Sequence, residues 1–144
     1  MKALDTNILI YSHREDSGFF DRAFECVRKL AEGSEPWAIP CPCIHEFLSI
    51  VTHPRIYNPP TPLDLALEQV DAWLESPTLE LLSEQAGYWE TFRSLLCSSR
   101  ICGPQIHDAR IAALCLYHGV SELWTADRDF GRFTDLNFSN PLIQ

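Results

Sequence analysis

Short apolar runs alternate along this chain with longer stretches of helical periodicity, and this alternation constrains the fold more than any other feature. The apolar runs predict strands at residues 2–4, 37–40, 78–82 and 123–125, with a short fifth strand near 136–138. Helical spacing predicts helices over residues 19–32, 63–74, 84–98 and 106–117, with a further helix that begins near residue 44. Strands that alternate with helices form a parallel sheet covered by helices on both faces, so the sequence predicts an α/β fold.

Length and apolar content predict one intracellular domain. The chain has 144 residues and is 46% hydrophobic, which fits a single domain with a sizeable core. The longest apolar run, Ile111 to Tyr117, is far shorter than the roughly 20 residues that a membrane helix needs. Asp5 lies where a signal peptide would need apolar residues. We therefore expect a cytoplasmic protein without a membrane span.

Six cysteines raise the question of disulfides or a zinc site. Three of them, Cys26, Cys97 and Cys115, lie in apolar helical patterns, where a free thiol behaves as a small hydrophobic group. Cys41 and Cys43 are one residue too close for a CxxC pair, and no second pair follows. We expect reduced, structural thiols.

The formal net charge of −9 is unusual for a protein that binds nucleic acid, because phosphate affinity comes mainly from Lys and Arg. Two explanations stay open. The chain is an acidic protein without a nucleic-acid partner, or several of its acids surround a cation that inverts the local charge. A basic partner protein also fits this charge.

Two acids are predicted at the edge of the sheet where ligands bind. Asp5 directly follows the first predicted strand, and Asp127 comes two residues after the fourth. The carboxyl ends of parallel strands meet at one edge, which is the usual ligand edge of such sheets. Asp5 could instead cap a helix, but Thr6 and Asn7 are also capping residues, so Asp5 is not needed for that task.

A third acid, Asp108, shares a helix side with Ile111, Ala112 and Cys115. A carboxylate on an apolar face is costly unless something neutralises it, and a cation would do so. Its position in the first turn also suits the helix dipole. Glu46 lies in the predicted helix that begins near residue 44, and the apolar residues of that helix lie on a side away from Glu46. Periodicity alone therefore predicts a surface position for Glu46.

Four carboxylates from four segments suit a hard divalent cation such as Mg²⁺ or Mn²⁺. The chain lacks a His and Cys set of the kind that binds zinc. It also lacks the glycine-rich loop of nucleotide-binding domains. A haloacid-dehalogenase phosphatase would need Asp where Asn7 stands, and a receiver domain would need a late Lys, whereas the only lysines are Lys2 and Lys29.

Several motifs resemble those of PIN domains, especially VapC-type toxins, and they follow the family's order over nearly the whole chain. They are Leu4-Asp5-Thr6-Asn7-Ile8-Leu9, Glu46-Phe47-Leu48, Ile106-His107-Asp108-Ala109-Arg110-Ile111-Ala112-Ala113, His118-Gly119, Leu123-Trp124-Thr125-Ala126-Asp127-Arg128-Asp129-Phe130 and Asn140-Pro141.

The resemblance implies a single PIN domain over residues 1–144, with three layers α/β/α and a mostly parallel sheet. It implies an endoribonuclease dependent on Mg²⁺ or Mn²⁺, acting as the toxin of a type II toxin–antitoxin pair. The implied metal ligands and catalytic acids are Asp5, Glu46, Asp108 and Asp127. The implied supporting or substrate-side residues are Thr6, Asn7, His107, Thr125 and Asp129.

The implied partners are an RNA substrate, a cognate antitoxin and a second copy of the chain in a homodimer. Two alternatives stay open. One is a PIN-like RNA-processing nuclease outside a toxin–antitoxin pair, and the other is a PIN-like binding module that does not catalyse.

Overall fold

A five-stranded parallel sheet forms the centre of the computed structural model, which describes residues 1–143. The strand order is β3-β2-β1-β4-β5, and every neighbouring pair is parallel. The predicted α/β fold with a parallel sheet is confirmed. The strands are β1 (Lys2–Leu4), β2 (Trp37–Pro40), β3 (Leu79–Leu82), β4 (Glu122–Trp124) and β5 (Phe138–Ser139).

Six α-helices connect these strands within the described residues, and they form two groups. In the first group, α1 packs on both α2 and α3, and α3 packs on α4. In the second group, α5 packs on α6. A 3₁₀ turn, Arg128–Arg132, follows β4. The helices are α1 (Thr6–His13), α2 (Phe20–Glu32), α3 (Cys41–Val51), α4 (Leu63–Leu74), α5 (Tyr88–Ser99) and α6 (Gln105–Tyr117).

The first strand lies in the middle of the sheet, and this position determines where the site forms. Ala3 and Leu4 are completely buried, as expected for a strand covered on both faces. In the register of the β1–β4 pair, Leu4 lies opposite Trp124. The residues that follow the two strands, Asp5 and Thr125, are therefore brought together at the carboxyl edge.

Helix α4 begins and ends where predicted, but of the apolar residues Leu63, Leu67, Val70 and Leu74, whose spacing predicts the helix, only Val70 is buried. Leu63, Leu67 and Leu74 are largely exposed. The side of α4 that packs on the core carries Val70 together with Ala66 and Trp73. Because apolar residues occur around most of this helix, their spacing alone does not identify the buried side.

Other boundaries differ by a few residues. Helix α5 starts at Tyr88 rather than at residue 84, because Gly87 adopts a positive φ of 90° at its N-cap. The fifth strand begins at Phe138, since the Leu136 amide donates to the Phe133 carbonyl in a turn.

All six cysteines are free, as predicted. Cys97 is exposed, however, so its predicted role as a small hydrophobic residue of an apolar helix face is wrong. No helix in residues 1–143 has the length and apolar character that a bilayer crossing requires.

Candidate active site

Asp5 lies at the end of β1, where the chain turns into α1. It is the N-cap of α1, and its Oδ1 accepts a 2.8 Å hydrogen bond from the Thr6 amide. The expectation that Thr6 or Asn7 would relieve Asp5 of capping is therefore wrong. Capping accounts for the position of Asp5 before α1. It does not account for the burial of the carboxylate, because the residue is only 5% exposed at the ligand edge.

The other carboxylate oxygen of Asp5 faces β4. Oδ2 accepts hydrogen bonds from the Thr125 hydroxyl at 2.7 Å and from the side-chain amide of Asn7 at 3.2 Å. The Asp5 backbone amide also donates to the Trp124 carbonyl at 3.0 Å. Thr125 and Asn7, both predicted to support the site, contact Asp5 directly.

Thr125 and Asn7 also hold the loop that carries Asp127. The Asp127 amide donates to the Thr125 hydroxyl at 3.0 Å, and the Ala126 amide donates to Asn7 Oδ1 at 3.0 Å. The half-buried Asp127 in turn accepts from the amide of Asp129 at 2.8 Å and caps the 3₁₀ turn. The Asp129 side chain is exposed.

Glu46 lies on α3 and is half-buried rather than fully solvated, so the surface position indicated by periodicity is wrong. Its Oε2 accepts a 2.7 Å hydrogen bond from the Thr6 hydroxyl. Thr6, the residue that follows Asp5, therefore connects the acid of α3 to the beginning of α1. A hydrophobic stripe does not reveal this contact, because it depends on a hydroxyl from another helix.

Asp108 lies in the first turn of α6 and is half-buried, beside the buried Ala109, Ile111 and Ala112. This matches the apolar side predicted for it. The neighbouring His107 is exposed, which leaves it at the surface of the same helix turn.

The acids influence one another electrostatically. Burial raises the pKa of Asp5 to about 6, against the hydrogen bonds from Thr125 and Thr6, and the charges of Glu46 and Asp108 raise it further. Burial also raises the pKa of Asp108, as do the charges of Asp127, Glu46 and Asp129, while Arg132 lowers it. Acids from four segments therefore share one region of negative potential.

Sequence reasoning missed one contact in this region. The thiol of Cys43, on α3, lies 3.7 Å from Asp5 Oδ1 and is completely buried. Burial and the charge of Asp5 raise the pKa of Cys43 well above its ordinary value, so the sulfur is a protonated donor. Free buried cysteines are usually packing residues, and nothing in the Cys-Pro-Cys sequence indicates this contact.

The donor set fits a hard divalent cation. Carboxylate oxygens are the ligands that such ions prefer, and a cation would offset the repulsion that raises the pKa values of Asp5 and Asp108. Within residues 1–143, no three His, Cys, Asp or Glu side chains form a preassembled metal site. The fit therefore rests on the chemistry of the donors and on their mutual electrostatic effects.

Comparison with known proteins identifies the class. The family model for the PIN domain matches residues 2–136, so the chain belongs to the PIN-domain family. Its relatives within that family include VapC ribonucleases. It is 33% identical to VapC ribonuclease Mb2897 of Mycobacterium bovis, over 99% of this chain and 96% of that protein. It is 26% identical to ribonuclease VapC48 of Mycobacterium tuberculosis, over 97% of each chain.

Solved structures share the fold at lower sequence identity. VapBC2 of Rickettsia felis, bound to a DNA fragment from its promoter, superposes with a TM-score of 0.71 and 20% identity, covering 96% of this chain and 97% of that chain. VapC20 of Mycobacterium tuberculosis, a toxin that cleaves the sarcin-ricin loop, gives a TM-score of 0.66 and 14% identity over 91% and 93%. PIN-domain VapC nucleases generally depend on a divalent metal ion.

Proposed function

We propose that this chain is a metal-dependent endoribonuclease that hydrolyses RNA phosphodiester bonds as the toxin of a type II toxin–antitoxin pair. The observation that carries the proposal is the environment of Asp5. This carboxylate is buried at the ligand edge of the sheet, and the charges of Glu46 and Asp108 act on it. A buried carboxylate close to other acids destabilises the folded state unless a cation is bound. Such an arrangement therefore indicates a functional site.

Asp5, Glu46, Asp108 and Asp127 would hold Mg²⁺ or Mn²⁺. The cation would supply Lewis-acid activation of water and offset the charge that develops on the phosphate. Thr125 and Asn7 orient the Asp5 carboxylate and fix the loop of Asp127.

Three further residues have supporting or substrate-side roles in this proposal. The Thr6 hydroxyl orients the Glu46 carboxylate. The Asp129 backbone amide donates to the Asp127 carboxylate and fixes its orientation. His107 is exposed next to Asp108 and is available to the RNA.

The names of the relatives support RNA as the substrate and an antitoxin as the partner. The curated relatives are ribonucleases, and solved neighbours include VapBC complexes from Salmonella typhimurium and nontypeable Haemophilus influenzae. The net charge of −9 suits a partner that contributes Arg or Lys. An Arg side chain from such a partner could pair with the acids of the site in bidentate geometry.

An apolar groove between α2 and α4 is the surface that we propose for this antitoxin. It encloses a cavity of about 150 Å³. Phe24, at its α2 side, is 46% exposed although it is a large apolar residue. Leu65 is exposed and lies on the same side of α4 as Gln69 and Ala72. The groove is lined by Ser12, Phe24, Val27, Arg28, Ala31, Gln69, Ala72 and Trp73.

A homodimer is also part of the proposal. Trp37 and Trp73 are buried, whereas Trp89 on α5 is 61% exposed. Trp89 therefore leaves an apolar ring available to a second copy, and sedimentation velocity would measure the oligomeric state directly.

The test of the catalytic proposal is RNA cleavage by the purified protein with Mg²⁺, Mn²⁺ or EDTA. We expect EDTA to stop cleavage and either ion to restore it. Asp5→Asn is expected to abolish cleavage and weaken Mn²⁺ binding in calorimetry, while Asp135→Asn, an exposed acid, preserves both. Cleavage by Asp5→Asn at the wild-type rate would contradict the proposed role of Asp5.

Two outcomes would favour the alternatives. Cleavage by a protein that neither binds nor is inhibited by the product of the adjacent gene would indicate an RNA-processing nuclease outside a toxin–antitoxin pair. RNA binding without cleavage and without Mn²⁺ binding would indicate a non-catalytic module.

A further inference from the structure

Cys43 lies where α3 packs against the beginning of α1. Helix α3 starts at Cys41 directly after β2, and Cys43 is in its first turn. The thiol faces the Asp5 carboxylate at 3.7 Å from Oδ1. Sulfur forms longer hydrogen bonds than oxygen and is a weak donor, but here both groups are buried, so water does not compete for the contact.

A second contact joins the same two helices one turn further along α3. Glu46 follows Cys43 by three residues and therefore lies on the same side of the helix. Its carboxylate accepts the hydrogen bond from the Thr6 hydroxyl at 2.7 Å. The Cys43–Asp5 and Thr6–Glu46 contacts together hold the beginning of α1 against the first two turns of α3.

The Cys43 contact completes the set of donors around Asp5. Oδ1 accepts from the Thr6 amide and the Cys43 thiol, and Oδ2 accepts from Thr125 and Asn7. Cys43 is the only one of these donors that belongs to the helix of Glu46. It is therefore the donor that can relate the orientation of Asp5 to the position of Glu46.

We propose that Cys43 is a positioning residue whose thiol fixes the Asp5 carboxylate and its spacing from Glu46, so that both acids can bind one divalent cation. This inference deepens the proposed function and rests on it for the role of the cation. The hydrogen bond itself does not depend on the metal, so the two ideas can be tested separately.

Cys115 on α6 offers a matched control. It is also completely buried, and the charge of Asp5 contributes to raising its pKa to about 12. In the described part of the chain it makes no hydrogen bond to Asp5. Substitution of Cys115 therefore removes a buried thiol near the site without removing a donor.

The first experiment is titration of the metal-free protein with Mn²⁺ by calorimetry. Because residues that orient metal ligands typically contribute 10–100-fold to affinity, we expect Cys43→Ala to weaken Mn²⁺ binding by about tenfold. Cys43→Ser retains a donor and is expected to stay within about twofold of wild type, as is Cys115→Ala. Wild-type affinity in Cys43→Ala, or equal loss in Cys43→Ala and Cys43→Ser, would overturn the proposal.

The second experiment is a double-mutant cycle in EDTA that combines Cys43→Ala with Asp5→Ala. If the thiol contacts Asp5, the double variant loses less in urea midpoint than the sum of the two single losses. The same cycle with Cys115→Ala is expected to be closer to additive. Strict additivity in the Cys43 cycle would contradict the contact, whereas absence of Mn²⁺ binding by the wild type would contradict the proposed metal site alone.

Discussion

The hydroxyl of Thr125 donates a 2.7 Å hydrogen bond to Asp5 Oδ2, although 120 positions separate the two residues in the sequence. The same hydroxyl oxygen accepts from the Asn7 side chain and the Asp127 amide. One buried oxygen thus connects the acid after β1 to the loop after β4. Four predictions follow from the site and from the groove beside α4.

Thr125→Val keeps the shape of the side chain but leaves Asp5 Oδ2 without its shortest donor. Loss of a hydrogen bond to a buried charged group is expected to reduce the free energy of unfolding by about 1–3 kcal/mol. Mn²⁺ affinity is expected to fall by roughly 10–100-fold. Urea denaturation and calorimetry would measure these effects, and Thr125→Ser, which retains the hydroxyl, is expected to resemble wild type. Equal behaviour of the Val and Ser variants would show that the hydroxyl is not needed.

The stability of the metal-free protein is expected to depend on the ionisation of Asp5. Because burial raises its pKa from 3.8 to about 6, the protonated carboxyl favours the folded state, and this contribution is lost as pH rises through about 6. Relative to Asp5→Asn, wild type in EDTA should lose about 2 kcal/mol of unfolding free energy between about pH 4 and pH 7.

Urea titrations of both proteins at several pH values would measure this difference, since Asn can still cap α1. If Asp5 holds the cation as proposed, Mn²⁺ would favour the ionised carboxylate, so saturating Mn²⁺ is expected to reverse the trend above about pH 6. A constant difference between wild type and Asp5→Asn across this range would contradict the raised pKa.

Asp108→Asn is expected to separate activity from stability. Removal of a half-buried charge that is repelled by Asp127 should raise the thermal stability of the metal-free protein, by up to about 1 kcal/mol once solvent screening is allowed for. Cleavage should fall by about 10²-fold or more if Asp108 holds the cation. Thermal melts in EDTA and RNA cleavage rates would be compared with Asp135→Asn, which should change neither.

Phe24→Asp is expected to prevent antitoxin binding without affecting RNA cleavage by the free protein. The substitution places a charge in the α2–α4 groove, and loss of an aromatic anchor typically costs 2 kcal/mol or more, which is about 30-fold in affinity. Ile56→Asp provides a matched control, because Ile56 is also an exposed apolar residue but lies outside the groove. Equal binding by the two variants, measured by calorimetry with the antitoxin, would exclude the groove as its docking surface.

The position of Asp5 and the approach of the loop carrying Asp127 could be predicted from the sequence because both follow short apolar strands. In a parallel sheet the ends of such strands meet at one edge, whatever the details of the intervening helices. The apolar neighbours of Asp108 were also visible as helical periodicity, and the structure shows that acid half-buried beside them.

The surroundings of these acids could not be predicted in the same way. Glu46 is held by the hydroxyl of Thr6, and Asp5 faces the thiol of Cys43. Both contacts join residues about 40 positions apart, and neither leaves a periodic signal. On α4, Ala66 and Trp73 are buried, whereas the three leucines whose spacing predicts the helix are exposed. The fit of the side chains against the neighbouring helices decides which apolar side is buried.

The central place of β1 beside β4 also has a consequence during synthesis of the protein. Asp5 is synthesised before helix α1, whereas Thr125 and Asp127 are made only after helix α6. Until β4 has emerged and paired with β1, the carboxylate of Asp5 lacks its partner across the sheet. A nascent chain that stops before this point therefore has an incomplete site, so the proposed active site assembles late, in a chain that already includes β4.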